Sequence, residues 1–66
     1  MNEREWEALY DAYEHQGWAF WKGQTTRRLA ERGWFGKREH PLYGLQWHIT
    51  DAGRDAFEAE RKRRLG

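Results

Sequence analysis

Histidine, cysteine and serine are the side chains that most often do acid–base, nucleophilic or metal chemistry. This sequence of 66 residues has three histidines, His15, His40 and His48, and neither cysteine nor serine. The histidines fall on three different predicted elements and match no metal-ligand spacing, so each reads as structural or solvent-facing. Without cysteine there is no thiolate nucleophile, no disulfide framework and no thiolate metal site. Gly17, Gly23, Gly33, Gly36 and Gly44 are scattered turn residues and form no phosphate loop. Carboxylates are numerous, but they sit on amphipathic helix faces, where solvation explains them. These residues point away from an enzyme and imply no cofactor.

What remains is recognition chemistry. The net charge is only +1, yet residues 1–16 carry a net −4 and residues 17–50 a net +4. Such segregation marks a face that meets a polyanion, or a set of solvated helix faces. A second basic run, "RKRR", occupies residues 61–64. Five tryptophans are more than one small core readily hides. Three large aromatics, Trp18, Phe20 and Trp21, crowd into "GWAFWKGQTT". They fill a core, or they offer a stacking or docking surface to a partner.

The elements that position these groups follow from periodicity. Trp6, Leu9, Tyr10 and Tyr13 fall on one helical stripe, and Asn2 with Glu5 has the form of a capping box, so a helix is predicted over 3–16, ended by Gly17. "TTRRLAERG" predicts a second helix over 24–32, with Leu29 and Ala30 inward and Gln24, Arg27, Arg28 and Glu31 outward. Leu45, Trp47 and Ile49 alternate with Gln46, His48 and Thr50 as in a half-buried strand. Trp34 and Phe35 begin its partner, and Lys37, Arg38 and His40 are expected on a basic, flexible connection between the two. Thr50 caps a last helix whose buried side is expected to be Ala52, Ala56, Phe57 and Ala59, fraying into "RKRRLG". No apolar run is long enough to span a bilayer, and the charged N-terminus is unlike a signal peptide. The expectation is one soluble, cytoplasmic domain over 1–66. A chain this short buries only about 60% of its unfolded surface.

The segment from Leu29 to Arg54 resembles the second half of a winged helix-turn-helix domain. The resemblance lies in "LAERGWF", a basic hairpin, and "ITDAGRDAF". Regulators of the multiple-antibiotic-resistance type carry a comparable pattern, matched here by Leu29, Gly33, Trp34, Phe35, Thr50, Gly53 and Arg54. The implied fold is α+β: about three helices with a two- to three-stranded hairpin wing. One family helix is missing, because only "GWAFWKG" separates the first helix from the second. As a turn, this segment plugs the gap with Trp18 and Trp21. As a strand, it points Trp18 and Phe20 one way and Ala19 and Trp21 the other.

The resemblance implies double-stranded DNA as partner. The second helix would enter the major groove, presenting Gln24, Thr25, Arg27 and Arg28, and arginine and glutamine can read guanine and adenine. Lys22 before the helix and Lys37, Arg38 and His40 on the wing would meet phosphates. A role as a small transcriptional regulator or recombination accessory factor of a phage or mobile element follows, with a homodimer as a plausible form. The other reading is a protein-interaction module, such as a phage-encoded inhibitor of a host complex, with Trp18 and Trp21 as anchors. Trp18 is expected mostly buried near Tyr13 and Leu29, and Trp21 more exposed.

Overall fold

The computed structural model of the chain describes residues 1–20 and 23–66. Trp21 and Lys22, named above as an interface candidate and a phosphate ligand, lie outside the described residues. Helix α1 spans Glu3–Glu14. It starts on a reciprocal cap: the Glu5 amide donates to Asn2 Oδ1 at 2.8 Å, and the Asn2 amide donates to Glu5 Oε1 at 3.0 Å. It ends where Gln16, at φ 60°, turns left-handed and the Gly17 amide donates to the Ala12 carbonyl at 2.7 Å. Gly17 itself has φ +95°, and a Cβ there would stand 2.6 Å from the His48 ring. Only glycine lets the chain pass so close to the sheet it is about to join.

The chain then forms β1 (Trp18–Ala19), α2 (Gln24–Glu31), β2 (Phe35–His40), β3 (Gly44–Ile49) and α3 (Asp51–Leu65). The strands make one antiparallel sheet in the order β1-β3-β2. With three helices, this is a small α+β domain of winged-helix-like arrangement. The segment that stands in for the missing helix is extended through Trp18, Ala19 and Phe20, so the strand alternative holds there. No helix of the described residues is long and apolar enough to cross a membrane.

The core takes Ala8, Leu9 and Ala12 from α1, Ala19 from β1, Leu29 from α2, Phe35 from β2, Ile49 from β3 and Phe57 from α3. Thr26 joins Leu29 on the buried side of α2, while Ala30 is only half-buried. The α1 stripe is rotated from the expected one. Glu5, Ala8, Leu9 and Ala12 form its buried line, and Tyr10 and Tyr13 flank it as exposed rings. Both tyrosines pack on Phe57, and Trp6 stacks on the same ring with centroids 4.9 Å apart.

Four other expectations are corrected. Leu45 is exposed, because burial falls along the hairpin from Phe35 and Ile49 at its base towards the tip. Lys37, Arg38 and His40 lie within β2, not on the connection, which is only Pro41, Leu42 and Tyr43 and has an apolar tip. Ala52 and Ala59 are exposed, because α3 buries Gly53, Phe57 and Glu60 instead. Finally, α3 does not fray. Glu60 is buried and accepts hydrogen bonds from Arg63 at 2.6 and 3.1 Å and from Arg64 at 3.0 Å, while Arg64 also reaches Glu3 at 2.9 Å. Two of the four "RKRR" cations are thereby committed to the fold.

One junction holds α2, the hairpin and α3 together. Thr50 Oγ1 accepts from the Gly53 amide at 3.1 Å and donates to the Gly33 carbonyl at 2.6 Å. The Thr50 amide donates to the Trp34 carbonyl at 2.9 Å. A Cβ on Gly53 would collide with that same Trp34 carbonyl. The threonine and glycine of "ITDAG" therefore join the start of α3 to the turn between α2 and β2.

Candidate nucleic-acid interface

Helix α2 has few residues to spare, and its two sides are sharply divided. Thr26 and Leu29 are buried, whereas Gln24, Arg27, Arg28 and Glu31 are exposed and line a shallow notch on the opposite side. Thr25 is half-buried at the margin. Gly23 is the N-cap at φ +117° and offers no side chain to the first amides of the helix. The far end closes with the Gly33 amide on the Ala30 carbonyl at 2.9 Å and the Trp34 amide on the Leu29 carbonyl at 2.9 Å.

The arginines around α2 do different work. Arg32, just past its end, pairs with buried Glu5 at 3.1 Å and lies 5.1 Å from the centroid of the Trp34 ring. It fastens α2 to α1. Arg27 and Arg28 form no ion pair with any described residue, although Glu31 lies one turn away. No ion pair has to be broken for their guanidinium groups to meet a ligand.

The wing cations are divided by the pleat. Lys37 pairs in register with Trp47, and Trp47 pairs with Ala19, so this row faces the helices. The Lys37 ammonium sits 4.3 Å from the centroid of the half-buried Trp47 ring. Arg38 and His40 alternate to the opposite, outer face. His40 is half-buried, and its Nδ1 accepts from the Leu42 amide at 2.9 Å, closing the hairpin tip. The expected wing residues are therefore on one hairpin but on two of its faces.

Trp18 is corrected by the same alternation. Ala19 takes the inward position and is buried, which sends Trp18 outward. It packs edge-on against His40 at 4.6 Å and His48 at 4.8 Å, not against Tyr13 and Leu29. Phe20 follows on that side, 6.0 Å from His40 and 5.8 Å from Tyr43. Arg38 completes the group, 5.9 Å from the centroid of the Trp18 ring and 3.5 Å from His48 Nε2.

Sequence reasoning missed this outer face. Tyr43, Gln46 and His48 carry no site expectation from the sequence, and Phe20 enters there only with Trp18 and Trp21, as core or as a docking surface. The signal was present in the second set of the β3 alternation, Gln46 and His48, and in the strand reading of "WAF". Among the described residues, no group of histidines and carboxylates is arranged to hold a metal ion. Comparison of the chain with protein-family models, with curated proteins and with solved structures gives no match, so its functional reading rests on its own residues and their arrangement.

Proposed function

We propose that this domain binds double-stranded DNA, with the exposed face of α2 in the major groove and the hairpin beside the phosphate backbone. The observation that carries the reading is the division of labour around α2. Arg32 is spent on the fold, while Arg27 and Arg28 stand exposed and unpaired beside Gln24. Arginine and glutamine have the donor geometry to read base edges. The sheet order β1-β3-β2, with β2 and β3 following directly on α2, supports a wing in the usual sense. One helix this short contacts few base pairs, so two copies on one site belong to the proposal. The role is that of a small transcriptional regulator or recombination accessory factor of a phage or mobile element.

The test is a titration of a labelled random duplex by fluorescence anisotropy at two salt concentrations. Affinity falls steeply with salt if phosphates supply the binding. The variant Arg27→Ala with Arg28→Ala, which removes two cations from this face, weakens duplex binding and flattens its salt dependence. Unchanged affinity in a folded variant refutes the α2 assignment.

A second reading, a protein-interaction module, is favoured by α1. An open groove there is lined by Trp6, Glu7, Tyr10, Asp11, Glu14 and His15, acidic and aromatic together. That surface suits a protein better than DNA. A pull-down from the native host that survives DNase and yields one protein complex favours it.

A further inference from the structure

We propose that the outer face of the sheet is a stacking platform for an unpaired segment of nucleic acid, a surface distinct from the exposed face of α2. The proposal rests on the nucleic-acid reading above but takes its stacking rings, Phe20 and Tyr43, from outside it.

The strand alternation assembles the face. Trp18 and His48 are paired in register, Arg38 lies opposite Gln46, and His40 lies opposite Gly44. Phe20 continues the row from β1, and Tyr43 reaches it from the hairpin tip. The helices pack on the inner residues Ala19, Phe35 and Ile49, and of the outer ones Phe20 meets His15 at the end of α1, ring centroids 6.4 Å apart. The strand positions of this face carry no carboxylate, since Glu39 points with Leu45 to the other side.

Two rings are presented and the others hold them. Phe20 is 42% exposed and Tyr43 is 62% exposed. Their planes stand at 89° with centroids 5.8 Å apart. His40 is wedged behind them, 4.8 Å from Tyr43 and 4.6 Å from Trp18. Rings already braced in this way lose little freedom when a base stacks on them. Arg38 lies on the same face beside Trp18 and His48, exposed and without a carboxylate partner among the described residues.

Exposed rings on one face with a guanidinium that no carboxylate neutralises match the two repeating features of a single strand, the base and the phosphate. A duplex cannot use the rings in this way, because its bases already stack on one another. A basic peptide would be repelled by Arg38.

The test compares a fluorescein-labelled oligothymidylate with a labelled random duplex, both titrated by anisotropy with the intact protein. Phe20→Ala and Tyr43→Ala each weaken oligothymidylate binding by roughly 5- to 150-fold, the range for loss of one base–aromatic stack. Neither alters duplex affinity to a comparable degree. Tyr43→Trp keeps a π-face and retains binding, and Arg38→Gln flattens the salt dependence for the oligothymidylate. The Arg27→Ala, Arg28→Ala variant shows the converse pattern, losing the duplex and keeping the single strand.

Oligothymidylate binding that is indifferent to both rings overturns the platform. So does the absence of such binding in a protein that holds duplex DNA, and that result leaves the α2 reading standing. Single-strand binding that depends on the rings, without duplex binding, supports the platform and overturns the α2 reading. Protection of Tyr43 by a host protein and by no oligonucleotide overturns the platform and leaves the α2 reading to the duplex titration.

Discussion

Replacing Thr50 by valine keeps the branched shape and removes one oxygen. That oxygen accepts from the Gly53 amide at 3.1 Å and donates to the Gly33 carbonyl at 2.6 Å. Losing an N-cap acceptor costs about 1 kcal/mol. Losing the bond to Gly33 costs about another 1 kcal/mol, moderated by water reaching that exposed carbonyl. For a domain of this size each kcal/mol lowers the melting temperature by about 4–8 °C, so Thr50→Val should melt roughly 8–16 °C below wild type. Thr50→Ser keeps the hydroxyl and should lose only the packing of one methyl group. The assay is thermal unfolding followed by far-ultraviolet circular dichroism at neutral pH, with both variants beside wild type. A valine variant that melts with wild type, or a serine variant as unstable as valine, refutes the two-bond account of this junction.

Other outcomes follow from the same packing. Gly53→Ala drives a methyl group into the Trp34 carbonyl and should destabilise by at least about 1–3 kcal/mol, the usual cost of overpacking, read from a denaturant midpoint. Leu45→Ser should be nearly silent, within about 0.5 kcal/mol in the same measurement, because the side chain is exposed. Hydrogen bonds from Arg63 hold the Glu60 carboxyl below its ordinary value of 4.5 against the opposing effect of burial, with Arg64 adding to them. A depressed carboxyl contributes stability that is complete above its unfolded value and is lost as pH falls through the folded one. Wild type should therefore be more stable than Glu60→Gln at neutral pH, and the gap should close below pH 4.5. Melts of both proteins across that range decide it.

Much of this architecture was legible wherever a local rule and the tertiary contact agree. Asn2 and Glu5 form the predicted cap, and Thr50 caps α3 as read. Leu29 and Phe35 enter the core, and Gln24, Arg27 and Arg28 stay outside it. The failures share a physical cause, namely which face of an element its neighbours cover. Leu45 satisfies the alternation of β3, but the helices do not extend over it. Ala52 and Ala59 look like a helical face, yet the close approach at Gly53 rotates α3 so that Glu60 is buried. Trp18 follows the helix-ending Gly17, which predicts a turn back toward the α1 stripe, whereas pairing with β3 gives the inward position to Ala19. The outer platform stayed hidden because its members come from three separate stretches that only the sheet register brings together.

The stacking of Trp6 on Phe57, closed further along by the bond from Arg64 to Glu3, has a consequence for how the chain folds. These contacts join its two ends, so nearly the whole chain must be looped before any of them forms. The hairpin closes across three residues, and α1 carries its own cap, so both can form while the rest is still open. The seam between the first and last helices should thus form late in folding. Hydrogen exchange should then find amide protection in α3 below that of the β2–β3 ladder.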